Sequence, residues 1–327
     1  MKLGIDAHKF ASARPTGTER YSTEVIEALI RARSPEDEIT LYTSRPLDPP
    51  WAAGVRVREI RHLPPIHPFT YVGLPRELRA HPVDLLFVPA HELPLRPPRS
   101  VVTIHDVAFR KYPEAYGPLS RWRLEWSTRR ALAEAWRIVA ISEATKRDLV
   151  DLYAADPAKI RVIHPGFTPS AFRPDTRKTG ETLRRLRLEH GRYFFYVGRI
   201  ESKKNLERLI KAFNAGRKSG EISWRLVLAG APGAGSERIE GEVRRLRLES
   251  EVIRPGYITE ELKQILLHAA GAQVVPSLYE GFGFPVLEAF EAGVPVLAST
   301  GGSLPEVAGD AALLVPPIDT ASFKTGM

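Results

Sequence analysis

The stretch Gln273-Val-Val-Pro276-Ser-Leu-Tyr-Glu280-Gly-Phe-Gly-Phe-Pro285-Val-Leu-Glu288-Ala-Phe-Glu-Ala-Gly293 decides the fold. A short apolar strand ends near Pro276 and a glycine-bearing loop follows. Pro285 then takes a first helical position, where its fixed φ suits the helix and its missing N–H is not needed. The same strand–loop–helix unit recurs along the chain. Upstream, apolar runs lie at Lys2–Ile5, Ile39–Tyr42, Asp84–Val88, Val101–Ile104, Ile138–Ile141, Ile160–Ile163, Tyr193–Val197 and Arg225–Ala229; downstream they lie at Pro295–Ala298 and Ala311–Val315. Several are uniformly apolar and rich in Val and Ile, as strands covered on both faces are. Between them, Tyr21, Val25, Ile26, Leu29 and Ile30 follow the helical period, as do Leu206, Leu209, Ile210 and Phe213, and Leu262, Ile265 and Leu266. Strand–helix alternation over the whole chain predicts parallel sheets and an α/β architecture.

The pattern breaks between Pro165 and Arg192, where Pro-Gly-Phe-Thr-Pro-Ser is followed by Phe172-Arg-Pro174 and a charged stretch. This predicts two doubly wound, Rossmann-like domains, 1–170 and 171–327, each of ordinary domain size. Two such domains would face each other across a cleft, with ligand sites at the carboxyl ends of the strands. The 327 residues are 43% hydrophobic and 26% charged, which excludes disorder as the main theme. Cysteine is absent, so disulfides, thiolate metal sites and cysteine nucleophiles are excluded. With no apolar run near ~18 residues and no h-region after Met1, the expected location is cytoplasmic. The net charge is +8, and 35 of the 47 basic residues are Arg, so anionic partners are expected: phosphorylated small molecules, nucleic acid or an anionic membrane face.

Four segments can carry chemistry. The backbone N–H groups of Gly281, Phe282, Gly283 and Phe284 would point out of a helix start, which suits an anion. Glu280 and Glu288 can accept from hydroxyl groups; alternatively, Glu288 is a carboxylate near a helix N-terminus, favoured by about 0.3–1 kcal/mol. In Gly198-Arg199-Ile-Glu-Ser202-Lys203-Lys204-Asn205, three cations gather where a helix begins. They oppose the macrodipole, and a bound phosphate would resolve the conflict. The alternative, stronger for Lys203, is solvated lysines. Arg14-Pro-Thr-Gly17-Thr18-Glu-Arg20-Tyr21 reads as a glycine loop with Thr18 as helix cap, though not as a GxGxxG fingerprint. His105-Asp106 emerges at a strand's carboxyl end, where α/β sites form; a purely structural histidine is the alternative. No Asp-x-Asp occurs, and His62, His67 and His81 form no ligand set, so no metal site is expected.

Together these residues resemble the retaining glycosyltransferases of family 4, which have the GT-B fold. Glu280 and Glu288, seven residues apart in between, match that family's paired glutamates; Gly198-Arg199 with Lys204 matches its diphosphate clamp. Gly301-Gly-Ser-Leu-Pro305-Glu306-Val and Ser142-Glu143-Ala-Thr-Lys-Arg-Asp-Leu look like further family segments. The resemblance runs from about Gly4 to Pro317, and includes bacterial mannosyltransferase-type members. It implies a nucleotide-sugar donor, GDP-mannose or a UDP-sugar, held by the second domain, with the acceptor on the first. Arg199 and Lys204 would hold the diphosphate and stabilise leaving-group charge. Glu288 would bind ribose and Glu280 the donor sugar or the nearby loop. Phe282–Phe284 would touch sugar or phosphate. Gly17 would let the backbone approach the diphosphate, His105 would line the transferred sugar, and Tyr257 and Ile258 would wall the base. No cofactor or metal is implied.

One departure concerns the end of the chain. Family members continue past the last strand with further helices, so roughly 40–60 residues of helix are expected beyond Pro316-Pro-Ile-Asp. The expectation is a second domain shortened at its C-terminus, with domain closure and full activity in doubt. The acceptor would be a glycan or lipid-linked molecule. Leu119-Ser-Arg121-Trp122-Arg123-Leu124-Glu125-Trp126 places both Trp on one helical face. It reads first as a domain helix with its Trp pair in the core, and second as a peripheral contact with an anionic membrane. Pro64-Pro-Ile-His67-Pro-Phe69 reads as an acceptor-side loop. Competing readings are a nucleotide-sugar epimerase, a donor-binding protein without turnover, and a nucleic-acid binder; the last lacks any recognised motif.

Overall fold

The computed structural model describes residues 1–9, 17–47, 54–60 and 69–327. It divides into two compact units, Met1–Arg110 with Pro118–Pro165, and Lys111–Gly117 with Gly166–Met327.

The first unit carries β1 (Lys2–Asp6), α1 (Gly17–Ala32), β2 (Glu38–Thr43), β3 (Arg56–Glu59), α2 (Leu74–Ala80), β4 (Leu85–Val88), β5 (Ser100–Ile104), α3 (Ala108–Lys111, its last residue grouped with the second unit), α4 (Pro118–Glu134), β6 (Arg137–Ala140), α5 (Glu143–Tyr153) and β7 (Ile160–Val162). Its strands form one parallel sheet in the order β3-β2-β1-β4-β5-β6-β7. Ser142 caps α5 by accepting from the Thr145 N–H. That bond satisfies one of the orphan donors of the first turn.

The second unit carries α6 (Thr176–Arg185), β8 (Tyr193–Val197), α7 (Leu206–Ser219), β9 (Arg225–Ala229), α8 (Ser236–Arg245), β10 (Val252–Gly256), α9 (Glu260–His268), β11 (Ala272–Val275), α10 (Phe284–Glu291), β12 (Val296–Ser299), α11 (Leu304–Ala308), β13 (Leu313–Val315) and α12 (Thr320–Gly326). Its sheet is parallel in the order β10-β9-β8-β11-β12-β13. The apolar strands are covered on both faces. Tyr193, Phe195, Val227, Val275 and Ala298 pack into one core, and Phe194, Tyr196, Leu226, Val274 and Leu297 into another. This alternation is why β8 reads as an unbroken apolar run. Phe323 of α12 is fully buried in the second core, beside residues of α7.

Two elements depart from the sequence reading. Arg56-Val-Arg-Glu59 is an edge strand that pairs only with β2, so it tolerates charge that an inner strand would reject. Thr176–Arg185, inside the charged gap, is a helix; Asp175 caps it through the Lys178 N–H, and only Thr182 and Leu183 are buried. Its apolar stripe is too thin to announce a helix by period alone.

Candidate functional site

The second sheet reverses its winding between β8 and β11. In open α/β sheets, ligand crevices form at the carboxyl ends of the strands beside that reversal. The segment after β8 holds Arg199 and Lys204, and the segment after β11 holds Glu280. Lys204 Nζ lies 2.7 Å from Glu280 Oε1, with both side chains mostly buried. The Ser277 hydroxyl donates to the same oxygen at 2.6 Å. Burial alone would push the Glu280 carboxyl up. The charges of Lys204 and Lys203, with hydrogen bonds from Lys204 and Ser277, outweigh it and hold the carboxyl below its usual range. The sequence conflict of cations at a helix start is thus met, within the protein, by an internal carboxylate.

The two segments are tied together. Ser202–Lys204 forms a single 3-10 turn before α7, and Asn205 turns the chain with φ 59°. Its side-chain amide donates to the Pro276 carbonyl at 3.0 Å and to the Pro317 carbonyl at 2.7 Å. The Leu278 N–H donates to the Lys203 carbonyl at 2.9 Å. The loop leading into α10 is clamped from the other side. The Ser303 N–H donates to the Glu280 carbonyl at 3.0 Å, and the Ser303 hydroxyl to the Phe282 carbonyl at 2.6 Å. Gly302 has φ 67°, and a Cβ there would meet the Glu280 carbonyl oxygen at 2.2 Å, so glycine is required for this approach. Gly283, with φ 111°, stands at the cap of α10 and brings no side chain over the helix start. Gly281 and Phe282 are buried, and the Phe282 and Phe284 rings meet edge to face at 5.1 Å.

Glu288 does not join the Lys204–Glu280 pair. It lies on α10, and its Oε1 is 2.8 Å from the Nζ of Lys263 on α9. Sequence reading missed Lys263. The available signal was a lysine in a first helical turn, adverse to the macrodipole, among Leu262, Ile265 and Leu266. Arg199 is about half exposed, its Nε 3.8 Å from Glu201 Oε2, and its carbonyl accepts from the Tyr196 hydroxyl at 2.9 Å. Tyr257 and Ile258 follow β10, the edge strand, two strands away from β8; Tyr257 is exposed and Ile258 packs on the core.

The first unit repeats the reversal between β1 and β4. His105, after β5, places Nε2 2.9 Å from the Pro89 carbonyl, and its ring meets Tyr21 of α1 edge-on at 4.9 Å. Burial lowers His105 to about 4, against the Pro89 bond and Asp106. Burial and the neighbouring His105 lower His91 to about 3. The Nε2 of His91 is buried without a partner, as is Oδ2 of Asp6. Asp6 Oδ1 lies 2.7 Å from His8 Nδ1. Gly17 opens α1, and a Cβ there would meet nothing within 4 Å, so the protein itself leaves room for a side chain. Thr18 lies inside α1 rather than capping it. Arg14–Thr16, His62, His67 and most of the Pro64–Phe69 stretch lie outside the described residues, while His81 pairs with Glu77 at 3.0 Å. Among the described residues no three His, Asp or Glu gather as a metal site.

Residues 181–327 match the family described as "Glycosyl transferases group 1", and residues 15–171 match "Glycosyltransferase Family 4". The chain belongs to the family-4 glycosyltransferases. It is 29% identical over 325 residues to the O-antigen chain mannosyltransferase B of Escherichia coli, covering 94% of this chain and 85% of that protein. Its fold matches sucrose-phosphate synthase from Thermosynechococcus elongatus with a TM-score of 0.75, at 22% identity over 99% of this chain and 88% of the other. It also matches Anabaena HepE, solved with UDP and glucose, with a TM-score of 0.73, at 18% identity over 99% and 88%. The fold is therefore the GT-B fold.

The glycosyltransferase corrects one expectation outright. Trp122 and Trp126 stack at 6.4 Å on α4, but Trp122 is 64% exposed and Leu119 78%. The buried face of α4 is instead Ser127, Thr128 and Ala131. Trp122 is therefore not core, while Trp126 is partly buried with its ring edge-on to Tyr71 at 5.4 Å. Among the described residues no helix is long and apolar enough to cross a membrane.

Proposed function

We propose that this glycosyltransferase moves a hexose from a nucleoside-diphosphate sugar to a hydroxyl of a glycan or lipid-linked acceptor, with retention at the anomeric carbon and without a metal ion. The observation that carries the reading is the Lys204–Glu280 pair at the winding reversal of the second sheet. Lys204 and the half-exposed Arg199 would clamp the diphosphate and balance charge as the C1–oxygen bond breaks. The acceptor oxygen would bond to C1 on the face the diphosphate leaves, and its proton would pass to the departing phosphate oxygen. The N–H groups of Gly281–Phe284 would meet sugar or phosphate, and Glu280, its carboxylate held ionised, would accept from donor-sugar hydroxyls. Glu288 would take the ribose diol, and Tyr257 and Ile258 the base. On the first unit, Gly17 would admit the diphosphate to the backbone. His105 would face the transferred sugar as a neutral imidazole, since its proton is lost far below neutrality.

GDP-mannose is the favoured donor, supported by similarity to the E. coli mannosyltransferase; UDP-sugars are the second choice, supported by the fold shared with HepE. The test is to supply GDP-mannose or UDP-glucose with hydroxyl acceptors in EDTA and to follow the anomeric proton of the product by NMR. An α product from an α-linked donor supports the reading, and an inverted product or a strict metal requirement contradicts it.

The exposed Leu119 and Trp122, beside Arg121 and Arg123, support a peripheral contact with anionic membrane at the inner face. Vesicles containing anionic lipid should retain the protein, and Trp122→Ser should release it.

A further inference from the structure

Lys263 sits in the first turn of α9, where a cation opposes the helix dipole. Its side chain is only 10% exposed, and that of Glu288 11%. Nζ lies 2.8 Å from Glu288 Oε1 and 2.8 Å from Oε1 of Glu260, a carboxylate that stands mostly in solvent. On the same two helices, Leu266, Val286 and Ala289 are fully buried. Two apolar side chains would serve packing at least as well here, because taking two charges out of water generally costs as much as their attraction returns. A charge kept under those conditions points to use.

We propose that Lys263 is a positioning residue that fixes the Glu288 carboxylate for recognition of the donor ribose, a reading that rests on Glu288 being the ribose acceptor. A carboxylate accepts at about four lone-pair sites. By holding Oε1, Lys263 stops the group from rotating, so that it meets the 2′- and 3′-hydroxyls in a fixed orientation. Glu260 tethers Lys263 from the solvent side and limits where Nζ can go. Discrimination between ribose and deoxyribose then depends on a residue that need not touch the nucleotide.

The test compares binding of GDP with 2′-deoxy-GDP, and of UDP with 2′-deoxy-UDP, by calorimetry. In the unaltered protein the ribonucleotide should bind about tenfold or more tightly, the worth of a hydrogen bond to a charged group. Lys263→Met should bring the ratio to within about twofold of one, and Lys263→Arg should restore most of it. A role confined to packing would lower thermal stability and leave the ratio unchanged. If Lys263→Met folds poorly, Lys263→Gln gives the same comparison. A wild-type ratio in the folded Lys263 variants, with the ratio lost in Glu288→Gln, overturns the proposal alone. A wild-type ratio in Glu288→Gln overturns the ribose role of Glu288 itself.

Discussion

The two sheets share one winding, but the residues gathered near their reversals differ in electrostatics. Numbered from its own first strand, each runs 3-2-1-4-5-6, with a seventh strand added in the first unit. Beside the reversal in the first unit lie His91 and His105, both held neutral by burial. At the reversal in the second unit lies Lys204–Glu280, and on α9 and α10 Lys263–Glu288, both ion pairs. One scaffold thus offers uncharged hydrogen-bonding rings in one place and pre-paired charges in another. Neutral rings suit sugar hydroxyls. Paired charges would suit the diphosphate of the proposed function, which could take Lys204 over from Glu280.

The sharpest way to break this contrast is Lys204→Met. If Lys204 meets diphosphate charge in the transition state, sugar transfer should fall about 10²- to 10³-fold in kcat/KM. A fall below about tenfold would reduce Lys204–Glu280 to a structural pair. Next is Glu288→Ala, which should weaken nucleoside-diphosphate binding by about ten- to a hundredfold in calorimetry while circular dichroism stays unchanged. Equal affinity would remove Glu288 from the site.

A further test concerns pH. His91 and His105 titrate in the folded chain at about 3 and about 4, below the usual 6.5. The unfolded chain therefore takes up these protons first. The stability their neutral burial contributes is fully present above pH 6.5 and is lost as pH falls toward 4, by at most about 1.4 kcal/mol per pH unit for each histidine. Glu280 is also lowered, but from 4.5: its contribution is fully present above that pH and is lost only as pH falls below it, under the window of the histidines. Hydrogen exchange at pH 7 and pH 5 should show β4 and β5 losing protection while β8 and β11 keep theirs. His91→Gln with His105→Asn should flatten the first response, and uniform loss in both sheets would erase the contrast.

The parallel sheets were legible because strands covered on both faces read as unbroken apolar runs, β8 being the clearest. β3 was not, since an edge strand carries Arg56, Arg58 and Glu59 without penalty. The cations before α7 were legible as a conflict. Phosphate was the anticipated resolution, whereas the structure supplies Glu280, seventy-six residues away in sequence. Distance along the chain also hid Lys263, because one lysine in a helical pattern reads as a solvated group until α10 is packed against it. The Trp122–Trp126 spacing told that the rings share a face but not where that face points; the residues that α4 buries are Ser127, Thr128 and Ala131 instead.

In the proposed function, the charge-paired reversal of the second sheet is a metal-free diphosphate site. Calorimetric titration with GDP and UDP in EDTA tests it most directly, with the unaltered protein beside Lys204→Met. One of the two nucleotides should bind the unaltered protein without metal, and Lys204→Met should lose most of that affinity. Binding that appears only with added divalent metal, or equal binding by both proteins, would contradict it.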